Sequence, residues 1–272
     1  KVTIALAVNF VNDMKPVCLI IGAGAGIGGH VGKRFAREGY HVVLCRRSEA
    51  TGLDNLVKGI VQDGGSAEGR LLNIVNENAI EELILDIEKN CGPIEVVVHN
   101  IGAQIGNRSL TDTSLKTFEL GWRLSCFSLF RLAYTVLPLM AQRGKGTLLV
   151  TSSTAAQRGN AGQHSHAAAM GGRRMLCQSL NAEFASQNIH VAHIVIDGAV
   201  DAPDTLGKML GPEAFEKLRK DKGSEDGLML PEHIADTYFH IAQQHRSVWT
   251  HELDLRSFSD EAWWNHAVNI EF

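Results

Sequence analysis

The sequence predicts an α/β fold: a single doubly wound parallel sheet with helices on both faces. Three observations carry this expectation. Short apolar runs alternate with longer segments of helical periodicity along the chain, a pattern that builds parallel strands joined by right-handed crossovers. The run 94–99 is apolar enough for a strand buried on both faces. The first apolar run ends in a cluster of glycines, with a helical pattern directly after it.

The elements follow in order. Residues 16–21 form the first strand, and 27–38 a helix with Val31, Phe35 and Ala36 on one side, stopped by Gly39. Residues 41–45 form strand two, 48–63 a helix broken by Gly64 and Gly65, and 67–73 strand three. A helix over 76–91 ends at Gly92-Pro93, before strand four at 94–99. A long helix spans 115–142, strand five 146–152, a second long helix 163–187, and strand six 190–196. Residues 202–223 read as helical, Pro231 opens a helix to about 245 at the favoured first position, and 248–253 is the last strand. Residues 1–14 read as an N-terminal extension, an added strand or arm, and 15–272 as one domain. The tail from Arg256, with Trp263 and Trp264, packs on the domain or on another subunit.

Composition narrows the function. The chain has 272 residues, 44% of them hydrophobic, and a formal charge of −4. It has no basic excess to neutralise a phosphate backbone, so nucleic acid is not an expected partner. No apolar stretch is expected to span a membrane. The five cysteines are scattered and show no CxxC spacing, which argues against a disulfide framework or structural zinc and for a cytoplasmic setting. No metal is expected: His164 and His166 lie two apart on a helix and point to different sides, and no carboxylate completes a set with His99.

The turn Gly22-Ala23-Gly24-Ala25-Gly26-Ile27-Gly28 sits between strand one and helix one. Glycines there let the backbone turn tightly and approach a pyrophosphate, which the free N–H groups and dipole of the helix N-terminus then hold. This is a dinucleotide-binding Rossmann unit. An acid at the end of strand two would bind a ribose 2′-hydroxyl. This chain instead has Arg46 and Arg47, and arginine makes bidentate bonds to phosphate. NADP(H) is therefore expected over NAD(H).

The spacing of Gly22, Gly26 and Gly28 resembles that of the short-chain dehydrogenase/reductase family, and the resemblance runs over about 15–255. Asn100 and Gly102, in His99-Asn100-Ile101-Gly102, resemble the family's turn after strand four. Asn73 and Ile74 fall where the family contacts adenine. Ser153 resembles the catalytic serine, Asp197-Gly198 falls where a Pro-Gly lies near the nicotinamide, and Val200 where backbone meets the carboxamide. The resemblance implies hydride transfer between nicotinamide and a carbonyl or alcohol substrate, and a homodimer or homotetramer paired through the two long helices.

The departures lie in the catalytic set. Counting from Ser153, the family's tyrosine falls on His166, its lysine on Met170 and its asparagine on Ser125. Methionine carries no charge and accepts only weakly. Histidine, with an ordinary pKa of about 6.5, donates and accepts protons near neutral pH without a lysine. His166 is thus a candidate proton donor, with Ser153 polarising the carbonyl. The alternatives are a catalytically inactive nucleotide-binding protein, such as a redox sensor, and a scaffold without nucleotide. Arg173-Arg174 reads as a solvated or interface pair. Residues 201–223 read as a substrate lid, with Met209, Leu210 and Phe215 lining an apolar pocket.

Overall fold

The computed structural model describes residues 14–102 and 107–264; the expected extension lies outside them except for Met14. Seven parallel strands form one sheet in the order β3-β2-β1-β4-β5-β6-β7. They are β1 (Val17–Ile21), β2 (His41–Arg46), β3 (Ser66–Leu71), β4 (Ile94–His99), β5 (Gly146–Ser153), β6 (Ile189–Asp197) and β7 (Glu252–Arg256). The helices are α1 (Ile27–Arg37), α2 (Ala50–Gln62), α3 (Ala79–Asn90), α4 (Leu115–Trp122), α5 (Ser128–Arg143), α6 (His164–Phe184), α7 (Pro212–Gly223) and α8 (Pro231–Ala242).

The two faces follow from strand alternation. Val17, Leu19 and Ile21 of β1 point into a core completed by α3, α5 and α6, with Ile84, Leu132 and Cys177 among its members. Cys18 and Ile20 point into the other core, closed by Val31 and Phe35 of α1, Leu53 of α2 and Tyr238 of α8. The order reverses between β1 and β4, so the loops after these strands diverge and leave a crevice at their C-terminal ends.

Three elements differ from the sequence reading. The long helix over 115–142 is interrupted by a π-turn at Arg123–Phe127, closed by the Ser128 N–H donating to the Arg123 carbonyl. Such turns add a residue without ending a helix, and periodicity does not reveal them. The segment 202–223 is not one helix: Pro203–Gly207 is a π-turn, and Gly211 at φ +85° breaks the chain before Pro212 starts α7. The last strand lies further along than 248–253. The Trp249 ring stacks on His190 at 4.9 Å, and β7 enters the sheet only where Glu252 pairs with His193.

The stretch Leu115–Arg143 is long and apolar enough to cross a membrane, contrary to expectation. Here Leu129, Leu132, Val136, Leu137 and Met140 of this stretch lie in the core against the sheet.

His193 is fully buried on β6, its Nδ1 3.0 Å from the Glu252 carboxylate, which Arg174 also holds through two bonds of 2.7 Å. Burial pushes its pKa down to about 4, against the attraction of Glu252. The unfolded chain therefore binds a proton at this residue between about 6.5 and 4 that the fold refuses. Stability from this group is present above about 6.5 and is lost as pH falls toward 4, by up to about 3 kcal/mol. Burial also lowers His99 and His190, with the same sign. Urea midpoints at pH 7 and pH 4.5 check this. An unchanged midpoint would refute it, and His193→Gln is expected to flatten the dependence.

Candidate functional site

The crevice is built from the loop after β1 outward. Gly22 sits at φ +101°, and a Cβ there would press into the carbonyl oxygen of Asn100. Asn100 closes the contact: its backbone N–H donates to Ile21 O at 2.8 Å and its side-chain amide to Gly22 O at 2.8 Å. The loops after β1 and β4 are thus held together, and Gly28 packs against the same Gly22 oxygen. Around Gly24 and Gly102, by contrast, a Cβ would meet nothing within 4 Å among the described residues. Among the described residues no side chain caps the first turn of α1. Its free N–H groups and positive dipole end face the opening beside Gly26, Ile27 and Gly28. An uncapped helix over open glycines fits the pyrophosphate of a dinucleotide.

A cavity of about 360 Å³ lies over this loop, and Gly22, Gly24, Gly26, Ile27, Gly28, Asn100 and Gly102 all line it. A second, of about 380 Å³, shares the loop and extends toward β2 and β3, where Arg46, Arg47, Asn73 and Ile74 line it. Asn73 and Ile74 lie past β3, which ends at Leu71. The Asn73 side chain bonds to Asn76 at 3.1 Å, and the Ile74 side chain is buried in the core. Arg46 is paired with Glu49, itself at φ 71°, and Lys208 reaches the same carboxylate at 3.4 Å.

At the far end of the first cavity stands the polar pair. Ser153 ends β5, and its Oγ lies 3.1 Å from His166 Nε2 on the first turn of α6. Met170, one turn further along α6, is buried, and its sulfur accepts from the Ser152 hydroxyl at 3.9 Å. Ser125 is fully buried within the π-turn, its hydroxyl donating to Ala169 O at 3.5 Å. Val200 lines the cavity; Asp197 and Gly198 do not. The Asp197 carboxylate instead accepts from the Trp263 N–H at 3.1 Å and faces Arg256. This contact packs the described part of the C-terminal tail on the domain.

Two further expectations are corrected. Arg173 is not solvated: it is 1% exposed and lines the cavity, while Arg174 is engaged by Glu252. In the lid segment, Ala202 and Thr205 reach the cavity. Phe215 is buried against Gly207, Met209 is 62% exposed and Leu210 41%, and none of the three lines this cavity. Sequence reasoning missed Arg173 and Thr205. The spacing of His166, Met170 and Arg173 at i, i+4 and i+7 on one helical face was the available signal. His41, Glu68 and Cys91 bring their ligand atoms within 4.8 Å of one another near the start of β2, but Glu68 is already paired with Arg70 at 2.8 Å.

Residues 16–206 match the family described as short chain dehydrogenase. The 7alpha-hydroxysteroid dehydrogenase of Escherichia coli (strain K12) is 30% identical over 200 residues, covering 74% of this chain and 76% of that protein. The crystal structure of a short-chain dehydrogenase from Rhodopseudomonas palustris has a TM-score of 0.74 at 30% identity, over 89% of this chain and 99% of that one. A 7 alpha-hydroxysteroid dehydrogenase complexed with NADH and 7-oxo glycochenodeoxycholic acid has a TM-score of 0.77 at 26% identity, over 89% of this chain and 92% of that one.

Proposed function

Since this chain belongs to the short chain dehydrogenase family, we propose that it is an NADP-dependent oxidoreductase of carbonyl or hydroxyl compounds in which His166 moves the proton. The observation that carries the reading is the 3.1 Å pairing of Ser153 Oγ with His166 Nε2 at the end of the glycine-lined crevice. A bound nicotinamide would supply or accept the hydride. The chain's own groups do the rest. With His166 as an imidazolium, its Nε2–H donates to Ser153 Oγ, and the serine hydroxyl is then free to donate to the substrate oxygen. As negative charge grows on that oxygen, the proton comes from His166, directly or through the serine. In the reverse direction neutral His166 accepts it. The same pairing favours a working site over an inactive nucleotide-binding protein.

The cofactor would lie with its pyrophosphate on Gly24, Gly26, Ile27 and Gly28, its adenine beside Asn73 and Ile74, and its nicotinamide near Val200. The preference for NADP rests on Arg46 and Arg47, since the related hydroxysteroid dehydrogenase was complexed with NADH. Glu49 competes for Arg46, so a 2′-phosphate must share that guanidinium with the carboxylate. Fluorescence titration is expected to show tighter binding of NADPH than NADH, with Arg46→Ala lowering NADPH affinity about 10-fold or more, the loss of a charged hydrogen bond. Glu49→Gln is expected to raise it. Equal affinities in wild type would refute the preference, and binding of neither would refute the enzyme reading.

The proposed oligomer has a surface to use. Leu115 is 91% exposed and Tyr134 73%, and Phe118, Trp122, Phe130 and Met175 are also exposed on α4, α5 and α6. Large exposed apolar side chains on these helices suit a subunit interface. Sedimentation is expected to give the mass of a dimer or tetramer; the mass of one chain would refute it. All five cysteines are free, which suits the proposed cytoplasmic setting.

A further inference from the structure

Burying a guanidinium is costly, and proteins normally pair one with a carboxylate. Arg173 has no such partner among the described residues. Its Nη1 donates to the Thr151 carbonyl, and its Nη2 to Ile101 O at 2.8 Å and Ser125 O at 3.4 Å. Its Nε has no hydrogen-bond partner there. The three carbonyls come from β5, the turn after β4 and the π-turn, the segments that wall the crevice. The side chain therefore clamps the site, but a clamp of carbonyls alone does not require a net charge.

Position supplies the reason for the charge. His166, Met170 and Arg173 share one face of α6 and line the same cavity. Long helical side chains lean toward the helix N-terminus, so the Arg173 guanidinium is directed back toward the turn that holds Met170 and, beyond it, His166. We infer that Arg173 carries the positive charge of this active site, supplied from one turn below the uncharged Met170. The inference rests on His166 as the proton donor. There the charge destabilises the imidazolium, making it a stronger acid, and favours the growing alkoxide.

The surroundings leave that charge little screened. The groups facing Arg173 are His99 on β4, Cys126 in the π-turn, Cys177 on α6 and Tyr238 on α8. His193 on β6, paired with Glu252 of β7, feels it more remotely. Burial holds His99 well below the usual histidine range, and Arg173 adds to that. Burial raises the Tyr238 hydroxyl and the Cys177 thiol, so both stay uncharged at neutral pH.

The test is a cycle of four proteins: wild type, Met170→Lys, Arg173→Val and the double variant. Histidine-selective NMR titration follows His166 in each, its resonance identified by its loss in His166→Gln. Residues seven apart on a helix are separated by about 10 Å. Removing a unit charge at that range is expected to raise the His166 midpoint by about one pH unit. The double variant, with its cation moved to position 170, is expected to bring the midpoint back down. Met170→Lys alone, which sets two cations together, is expected to melt lower than the double variant. An equal midpoint in wild type and Arg173→Val overturns the inference, and so does a double variant whose midpoint stays high. If Arg173→Val does not fold, a folded double variant still supports it, whereas failure of both makes Arg173 a structural clamp only. The titration needs neither cofactor nor substrate. Loss of the oxidoreductase reading through absent NADPH binding, or through unchanged turnover in His166→Phe, is therefore distinguishable from loss of this one.

Discussion

His166→Phe is expected to lower turnover of a carbonyl substrate by about 10²–10⁴-fold, the usual contribution of a positioned acid or base. NADPH affinity should be nearly unchanged, because the phenyl ring keeps the volume and the glycine loop is untouched. Ser153→Ala should fall in the same range, and the double variant little further, since groups that act as one unit are not additive. The pH profile gives a second check. Histidine donates as an imidazolium, so reduction should decline as pH rises through the His166 midpoint, whereas a tyrosine, with its ordinary pKa of about 10, would hold activity further into the alkaline range. His166→Tyr alone is expected to remain poor. Steady-state rates over a carbonyl panel, with single-turnover rates to isolate the chemical step, measure all of this. Full activity in His166→Phe would sink the proton-donor reading.

The parts of this molecule legible in sequence were those governed by periodicity and by glycine. The apolar runs located β1, β2, β4, β5 and β6 to within a residue or two, because a strand buried on both faces leaves little choice of side chain, whereas β3, a half-exposed edge strand of sequence SAEGRL, carries no such run. Gly22 and Gly28 were legible because no other residue type fits their close approach to Asn100. What stayed hidden depended on neighbours remote in sequence. The start of β7 is set by Glu252 meeting His193 and Arg174, contacts no local pattern encodes. The break within residues 115–142 is a backbone hydrogen-bond shift with ordinary side chains around it. Arg173 looked like half of a surface pair because two adjacent arginines usually are one; on a helix they point about 100° apart, and one was aimed into the core. The pairing of Ser153 with His166 followed from their thirteen-residue spacing only once a family resemblance supplied its meaning.

The contrast between two glycines gives the other large effect. Gly22→Ala is expected to destabilise the protein by about 2–5 kcal/mol and to abolish NADPH binding at any practical concentration. Two costs combine. The left-handed φ of +101° costs a non-glycine residue roughly 1–2 kcal/mol. The new methyl group also presses into the Asn100 backbone carbonyl, and overpacking of this kind costs about 1–3 kcal/mol. The clash has no soft side, because Asn100 is tied to Ile21 and Gly22 by two bonds of 2.8 Å. Relief must separate the loops after β1 and β4, which are the two walls of the crevice. Gly24→Ala separates fold from ligand: with nothing within 4 Å of its Cβ, stability should change by no more than about 0.5 kcal/mol. Its methyl group projects where the pyrophosphate must approach, so NADPH affinity should still fall by about 10-fold or more, as expected for losing close backbone contacts with the phosphates. Denaturant midpoints beside fluorescence titrations on both variants decide it. If Gly24→Ala binds NADPH like wild type, the ligand does not lie over that glycine. If Gly22→Ala keeps its stability, the two loops are not locked together as the Asn100 contacts require.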